Sequence, residues 1–148
     1  MALNLEYGRH APEIPRLIAQ VNLYLRSTDL DIGLQHLVLL RVSQLNKCAY
    51  CVDLHSHEAL LAGENLQRIT CLSVWQKCDF YTDVEKAALT WAEAPTTLDN
   101  EHTLDERFKD ASFHYNDKQL SDLSFLIATM NAWNRMGVGL GRSPSKRN

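Results

Sequence analysis

No stretch of the 148 residues approaches the roughly 18 successive apolar side chains that cross a bilayer, so a membrane-spanning helix is not expected. A basic surplus is missing as well. Fifteen Lys and Arg against 18 Asp and Glu give a net charge of −3 and a pI near 6.0, leaving no field with which to hold a phosphate backbone. Nucleic acid and anionic membrane surfaces are therefore excluded as partners. The opening MALNLEYGRHAPEIP has neither a basic n-region nor an apolar h-region, so no secretory leader is expected and the chain reads as cytoplasmic. Internal repeats, low-complexity runs and linkers rich in Gly, Pro or Ser are absent too. One domain over 1–148 is expected, its core running from about 15 to 137 and its tail, GLGRSPSKRN, flexible.

Alternation of apolar and polar residues, the mark of a half-buried strand, is sustained nowhere, whereas helix signals follow one another along the chain. Leu17, Ile18, Val21 and Leu25 recur at helical spacing over 15–26, as do Leu34, Leu37, Val38 and Leu45 over 30–45, and each set predicts a buried face. A third helix is expected from about Cys48 to Ala62, closed by Gly63 in a left-handed conformation. Thr82 with Glu85, Thr103 with Glu106 and Asn116 with Gln119 match capping-box spacing and predict three more helix starts. The last leads into SDLSFLIATMNAWNRM, apolar nearly all round from Leu123 to Trp133, which predicts a helix at the centre of the domain or in a subunit interface. The fold class is all-α, a compact domain of six to eight helices.

Cysteine is scarce, four in all, and two of the four fall in NKCAYCVDLHSHE. In a reducing compartment such residues are reactive, metal-binding or buried rather than a structural disulfide frame. On a helix Cys48, Cys51 and His55 stand at i, i+3 and i+7 and share one face. Asn46 is the expected N-cap, which sets both sulfurs near unpaired N–H groups and the positive end of the dipole, favouring thiolate. His55, one turn beyond Cys51, can take that thiol's proton. This assigns Cys51 as nucleophile and Cys48 as resolving thiol. Zinc is the second reading, since Cys48, Cys51 and His55 lack a fourth ligand and His57 points away. Covalent haem is excluded by Val52, which stands where the histidine would be. The bland reading makes all three buried core residues. Cys71 and Cys78, seven apart on an expected helix, are too distant to bridge and read as core, as do Trp75, Trp91 and Trp133. His10, His102 and His114 read as surface.

The stretches HLVLLRVSQLNKCAYCVDLHSHEALLAG, EKAALTWAEAPTTL and SDLSFLIATMNAWNR together resemble the AhpD-like alkylhydroperoxidase branch of the carboxymuconolactone decarboxylase family, over about Leu30 to Arg135. The resemblance implies an all-helical fold assembling as a homo-oligomer, trimer or hexamer. It implies a thiol peroxidase cycle without haem, metal or other cofactor, acting on a small hydroperoxide and renewed by a dithiol reductant. Cys51 would be the peroxidatic cysteine, Cys48 the resolving one and His55 the relay histidine. The pattern departs at His36, twelve residues before Cys48, where the family generally has a glutamate that orients the relay histidine. A histidine can shuttle a proton but supplies no fixed negative charge. Tyr50 stands where some members have histidine, and Lys47, whose ammonium would lower a thiol pKa, where many have glycine. The rival reading is a redox sensor or binding module with a slow Cys48–Cys51 switch.

Overall fold

Side-chain caps set the starts of several helices. Asp31 accepts from the Leu34 N–H and Asn65 from the Gln67 N–H, while Thr82 with Glu85 and Asn116 with Gln119 form complete capping boxes. In the computed structural model, which describes residues 5–147, these caps belong to an all-α architecture of eight α-helices and one 3-10 helix. In chain order they are α1 (Tyr7–His10), α2 (Glu13–Arg26), α3 (Ile32–Leu45), α4 (Ala49–Leu61), α5 (Leu66–Cys71), the 3-10 helix Leu72–Lys77, α6 (Asp83–Thr97), α7 (Glu101–Ser112) and α8 (Asp117–Gly139). Among the described residues no helix is long and apolar enough to cross a membrane.

Helix α3 occupies the centre, because α4, α6 and α8 all pack against it. Its buried residues, Leu34, Gln35, His36, Leu37, Val38, Leu40, Val42 and Ser43, lie on every face rather than on one stripe. One side of α3 joins Leu123, Leu126, Ile127 and Met130 of α8, together with Cys48 and Cys51, in a single apolar cluster. Its other side, through Leu37 and Leu40, packs on Leu72 and Trp75 beyond α5. The expected central placement of α8 holds for one face, while Phe125 on the other is exposed.

Several expectations are corrected. The third capping box is not formed: α7 begins earlier, with Asn100 accepting from the Thr103 N–H. Leu17 and Val21 are exposed, because α2 lies at the edge of the bundle and packs chiefly on α8 and α1; Leu25 alone of its residues is buried. Asn46 is not the N-cap of α4. It closes α3, Lys47 turns the chain with φ +57°, and Cys48 takes the N-cap position of α4 without a side-chain capping bond. From the tail, Arg142 donates to the Tyr7 and Tyr50 hydroxyls and Arg147 pairs with Asp53. Gly63 ends α4 as expected, with φ +91° and the Glu64 N–H returning to the Ala59 carbonyl.

Candidate functional site

The turn at Lys47 decides where the sulfurs go. A left-handed residue between α3 and α4 lets the chain reverse within two residues, so that Cys48 and the first turn of α4 are driven into the interior against α8. Cys48 is 1% exposed and Cys51 5%. Opposite them α8 carries Gly137, where a Cβ would stand 2.8 Å from the Cys48 Sγ and 3.7 Å from that of Cys51. Only a residue without a side chain allows this approach.

A polar network fixes the same corner. Asn46 donates to Asn131 (2.8 Å) and to Asn134 (3.0 Å), Asn131 to the Thr96 hydroxyl (3.0 Å), and Asn134 to Ser43 (3.2 Å). Asn134, fully buried, also hydrogen-bonds Cys51. The two asparagines of NAWNR thus clamp the α3–α4 turn onto α8 and hold the Cys51 sulfur.

Cys51 opens into a cavity of about 220 Å³ lined by Tyr7, Tyr50, Leu54, His55, Met130 and Trp133, with Arg26, Glu58 and Arg142 among the polar groups. Cys48 does not line it and sits behind its partner. The expected thiolate-favouring environment is not found at Cys51. Burial, and then the hydrogen bond with Cys48, pushes the Cys51 thiol up to about 12, against the weaker pull of Asn134 and Arg142. Desolvation outweighs the dipole because the first turn of α4 is enclosed rather than open to water. Lys47 is exposed, and the cation that acts most on this sulfur is Arg142. Cys48, Cys51 and His55 do not converge as metal ligands, and no three His, Cys, Asp or Glu side chains among the described residues form such a group. The zinc reading is therefore withdrawn.

His55, one turn on from Cys51, is 8% exposed, and its Nδ1 lies 3.0 Å from the Glu58 Oε2. A carboxylate can only accept, so Nδ1 is the donor in this hydrogen bond and Nε2 is the ring nitrogen that Glu58 does not engage. This hydrogen bond is the chief reason the Glu58 carboxyl is held below its usual range. Glu58 is a site residue that the sequence pattern does not single out. It stands three positions after His55 in HSHE, a spacing that puts both side chains on one helix face and is the signal that could have found it. His36 and His55 together line a smaller void of about 50 Å³, and the His36 Nδ1 lacks a protein partner. Burial lowers its pKa despite the nearby Glu58 carboxylate, which favours a neutral ring.

Trp133 is a further correction, since it lines the cavity rather than packing wholly in the core. So is the second cysteine pair. The helix expected through Cys71 and Cys78 gives way to the 3-10 segment, distorted at Val74, and this brings the two thiols within interacting distance at a partly exposed position. His10, His102 and His114 are exposed as expected.

An all-helical bundle with a buried cysteine pair opening toward a His–Glu couple defines a recognisable class of protein. The family model of the carboxymuconolactone decarboxylase family matches residues 12–94. YdfG of Bacillus subtilis, an uncharacterised protein, is 36% identical over 99% of this chain and 100% of its own. A crystal structure from Agrobacterium tumefaciens, of a protein of unknown function proposed to be the antioxidant defence protein AhpD, superposes with a TM-score of 0.90. It is 31% identical and covers 97% of this chain and 99% of the other. The debrominase Bmp8 shares the fold at a TM-score of 0.78 with 20% identity, over 91% of this chain and 72% of Bmp8. The chain belongs to the carboxymuconolactone decarboxylase family and has its AhpD-like, all-α fold.

Proposed function

We propose that the protein is a thiol-dependent hydroperoxidase in which Cys51 is oxidised, Cys48 resolves the product and His55, held by Glu58, moves the proton. The observation that carries this reading is that one sulfur of a buried pair opens to a cavity shared with a histidine whose other nitrogen is fixed by a carboxylate. The family and the Agrobacterium structure support a peroxidase-related role in the coarser sense.

The chemistry follows from the atoms available. A thiol raised to about 12 is neutral at physiological pH, so attack needs a base, and the imidazole of His55, one turn away, is the group that serves. Glu58 stabilises the imidazolium that forms, the role the family glutamate would perform from position 36. The sulfur attacks the outer peroxide oxygen, the O–O bond breaks, and the alkoxide takes the proton back from His55 to leave as an alcohol. Cys51 is then a sulfenic acid. The Cys48 thiol attacks that sulfur and water departs, giving the Cys48–Cys51 disulfide. A dithiol reductant restores both thiols by exchange. No metal or other cofactor enters this cycle. Assembly as a homo-oligomer belongs to the same proposal, supported by the uncovered apolar side chains of α2, Ile14, Leu17, Val21 and Leu23.

Exposure of the reduced protein to one equivalent of an organic hydroperoxide should produce a Cys48–Cys51 disulfide by peptide mass analysis, and Cys51→Ser should abolish peroxide consumption. Full consumption by Cys51→Ser overturns the assignment. The burial of both sulfurs favours a second reading, a redox sensor whose disulfide forms slowly. Oxidation once per chain without turnover in the presence of excess dithiol would identify it.

A further inference from the structure

The mouth of the Cys51 cavity carries a cation that no carboxylate of the described residues pairs with. Arg26, on one side, faces the Glu58 carboxylate at 3.4 Å, and this pair is neutral as a whole. Arg147 is likewise paired, with Asp53 at 2.7 Å. Arg142 differs. Its guanidinium donates to the Tyr7 hydroxyl at 3.1 Å and to the Tyr50 hydroxyl at 2.8 Å, and lies 3.7 Å above the Tyr50 ring centre. No carboxylate of the described residues forms an ion pair with it.

Neutral phenols and a ring face fix the position of a guanidinium without neutralising its charge. The two tyrosines come from α1 and α4, so the cation is held from both sides of the opening and its field reaches the Cys51 sulfur. The space beneath is lined by Tyr7, Tyr50, Leu54, Met130 and Trp133. Its volume, about 220 Å³, falls below the ~300–1,000 Å³ of drug-sized ligand sites, so it suits a small organic body.

Resting on the hydroperoxidase reading, we infer that the substrate is a small organic hydroperoxide bearing a carboxylate, with the carboxylate on Arg142, the apolar body against the tyrosines and Trp133, and the peroxide at Cys51. The carboxylate is a spectator. Two electrons pass from sulfur to the peroxide, the S–O bond forms as the O–O bond breaks, and the product alcohol leaves with its carboxylate unchanged. Hydrogen peroxide, with neither apolar body nor charge, shares only the contact at Cys51.

Alkylation of Cys51 tests the charge selectivity separately from peroxide chemistry. Iodoacetate and iodoacetamide both consume thiolate and displace iodide, so the ratio of their rates cancels the nucleophilicity of the sulfur and reads only how the site treats a carboxylate. With Cys71 and Cys78 replaced by serine and labelling followed at the Cys51 peptide, iodoacetate should gain about tenfold on iodoacetamide relative to a neutral cysteine derivative, the lower end of what a single-sign cleft gives. Arg142→Gln should remove the gain and Arg142→Lys should keep most of it. A ratio equal to that of the free derivative, a ratio unchanged in Arg142→Gln, or a cavity that admits neither reagent overturns the inference. Failure of the hydroperoxidase reading shows elsewhere, as the absence of a Cys48–Cys51 disulfide after hydroperoxide, whatever the alkylation ratio.

Discussion

Replacing Gly137 by alanine places a methyl carbon 2.8 Å from the Cys48 Sγ, some 0.7–1.2 Å inside the ~3.5–4.0 Å at which nonbonded heavy atoms rest. Two relaxations are open. The sulfur stays and α8 is pushed away, an overpacking that costs about 1–3 kcal/mol in a close-packed interior. Otherwise Cys48 turns about χ1, at about 0.5–1.5 kcal/mol for an off-rotamer position in a site where the residue is 1% exposed. Against either stands the gain of about 0.5–1 kcal/mol that alanine has over glycine within a helix. Steric cost wins in the first case and roughly balances in the second, so Gly137→Ala should lose about 0.5–2 kcal/mol or hold its stability with a displaced sulfur. Both outcomes harm resolution, because a disulfide requires its Cβ atoms about 3.5–4.5 Å apart with the sulfurs turned toward each other. Gly139→Ala is the matched control: two residues on in the same helix, it meets nothing within 4 Å and should be neutral or slightly stabilising. Urea unfolding of the reduced proteins gives the first quantity, and the rate at which a Cys51 sulfenic acid, trapped by dimedone, gives way to disulfide gives the second. If Gly137→Ala matches Gly139→Ala in both, the packing of α8 on the cysteine pair is not as described.

Glu58→Gln keeps the size of the side chain but removes the charge that stabilises the His55 imidazolium, and should slow hydroperoxide turnover about 10–100-fold, part of the ~10²–10⁴ that a positioned base supplies. Stopped-flow consumption of a hydroperoxide measures it; an unchanged rate removes Glu58 from the site. His36→Glu should bring no gain in rate, because Glu58 already holds the relay histidine and a second buried carboxylate would repel it; a large gain would show that the chain does need a carboxylate at position 36. The pH dependence follows from Cys51, whose pKa lies above the ordinary thiol value, so the proton is retained through neutrality and thiolate rises only toward about 12. In His55→Ala the logarithm of the alkylation rate with iodoacetamide should climb with unit slope across the alkaline range, and a plateau near neutrality would show that burial does not hold the proton. Lys47→Gly should stabilise the fold by about 1 kcal/mol in urea unfolding, since φ +57° costs a side-chain-bearing residue roughly that much; a loss of stability would mean that Lys47 makes a contact worth more than the strain.

What is legible in the sequence is local in its cause. Cys48, Cys51 and His55 are linked by the period of one helix, and the capping residues Thr82 and Asn116 lie three positions from their partners, so a few neighbouring letters carry each relation. Glu58 is equally local, in HSHE, but the family pattern places the carboxylate at position 36 instead. The rest depends on the chain's path through space. Asn46 has the chemistry of an N-cap, yet the left-handed turn that makes it the end of α3 falls on a lysine, with no glycine to mark it. Cys71 and Cys78 stand two turns apart only on an unbroken helix, and the distortion at Val74 undoes that spacing. Leu17 and Val21 have the periodicity of a helix face, but periodicity alone does not say whether any neighbour covers that face. Arg142 comes from a tail without helix signals and lines the Cys51 cavity only because α8 runs back past α4 and delivers it over Tyr50, 92 residues earlier in the chain. The division follows the origin of each contribution. Cys51 and His55, the proposed nucleophile and proton acceptor, come from one helix and stand four residues apart, whereas the burial that raises the Cys51 thiol, like the Arg142 guanidinium, comes from α8 and the segment beyond it. Changes to α8 and the tail should therefore alter reactivity and substrate choice while leaving the cysteine motif itself intact.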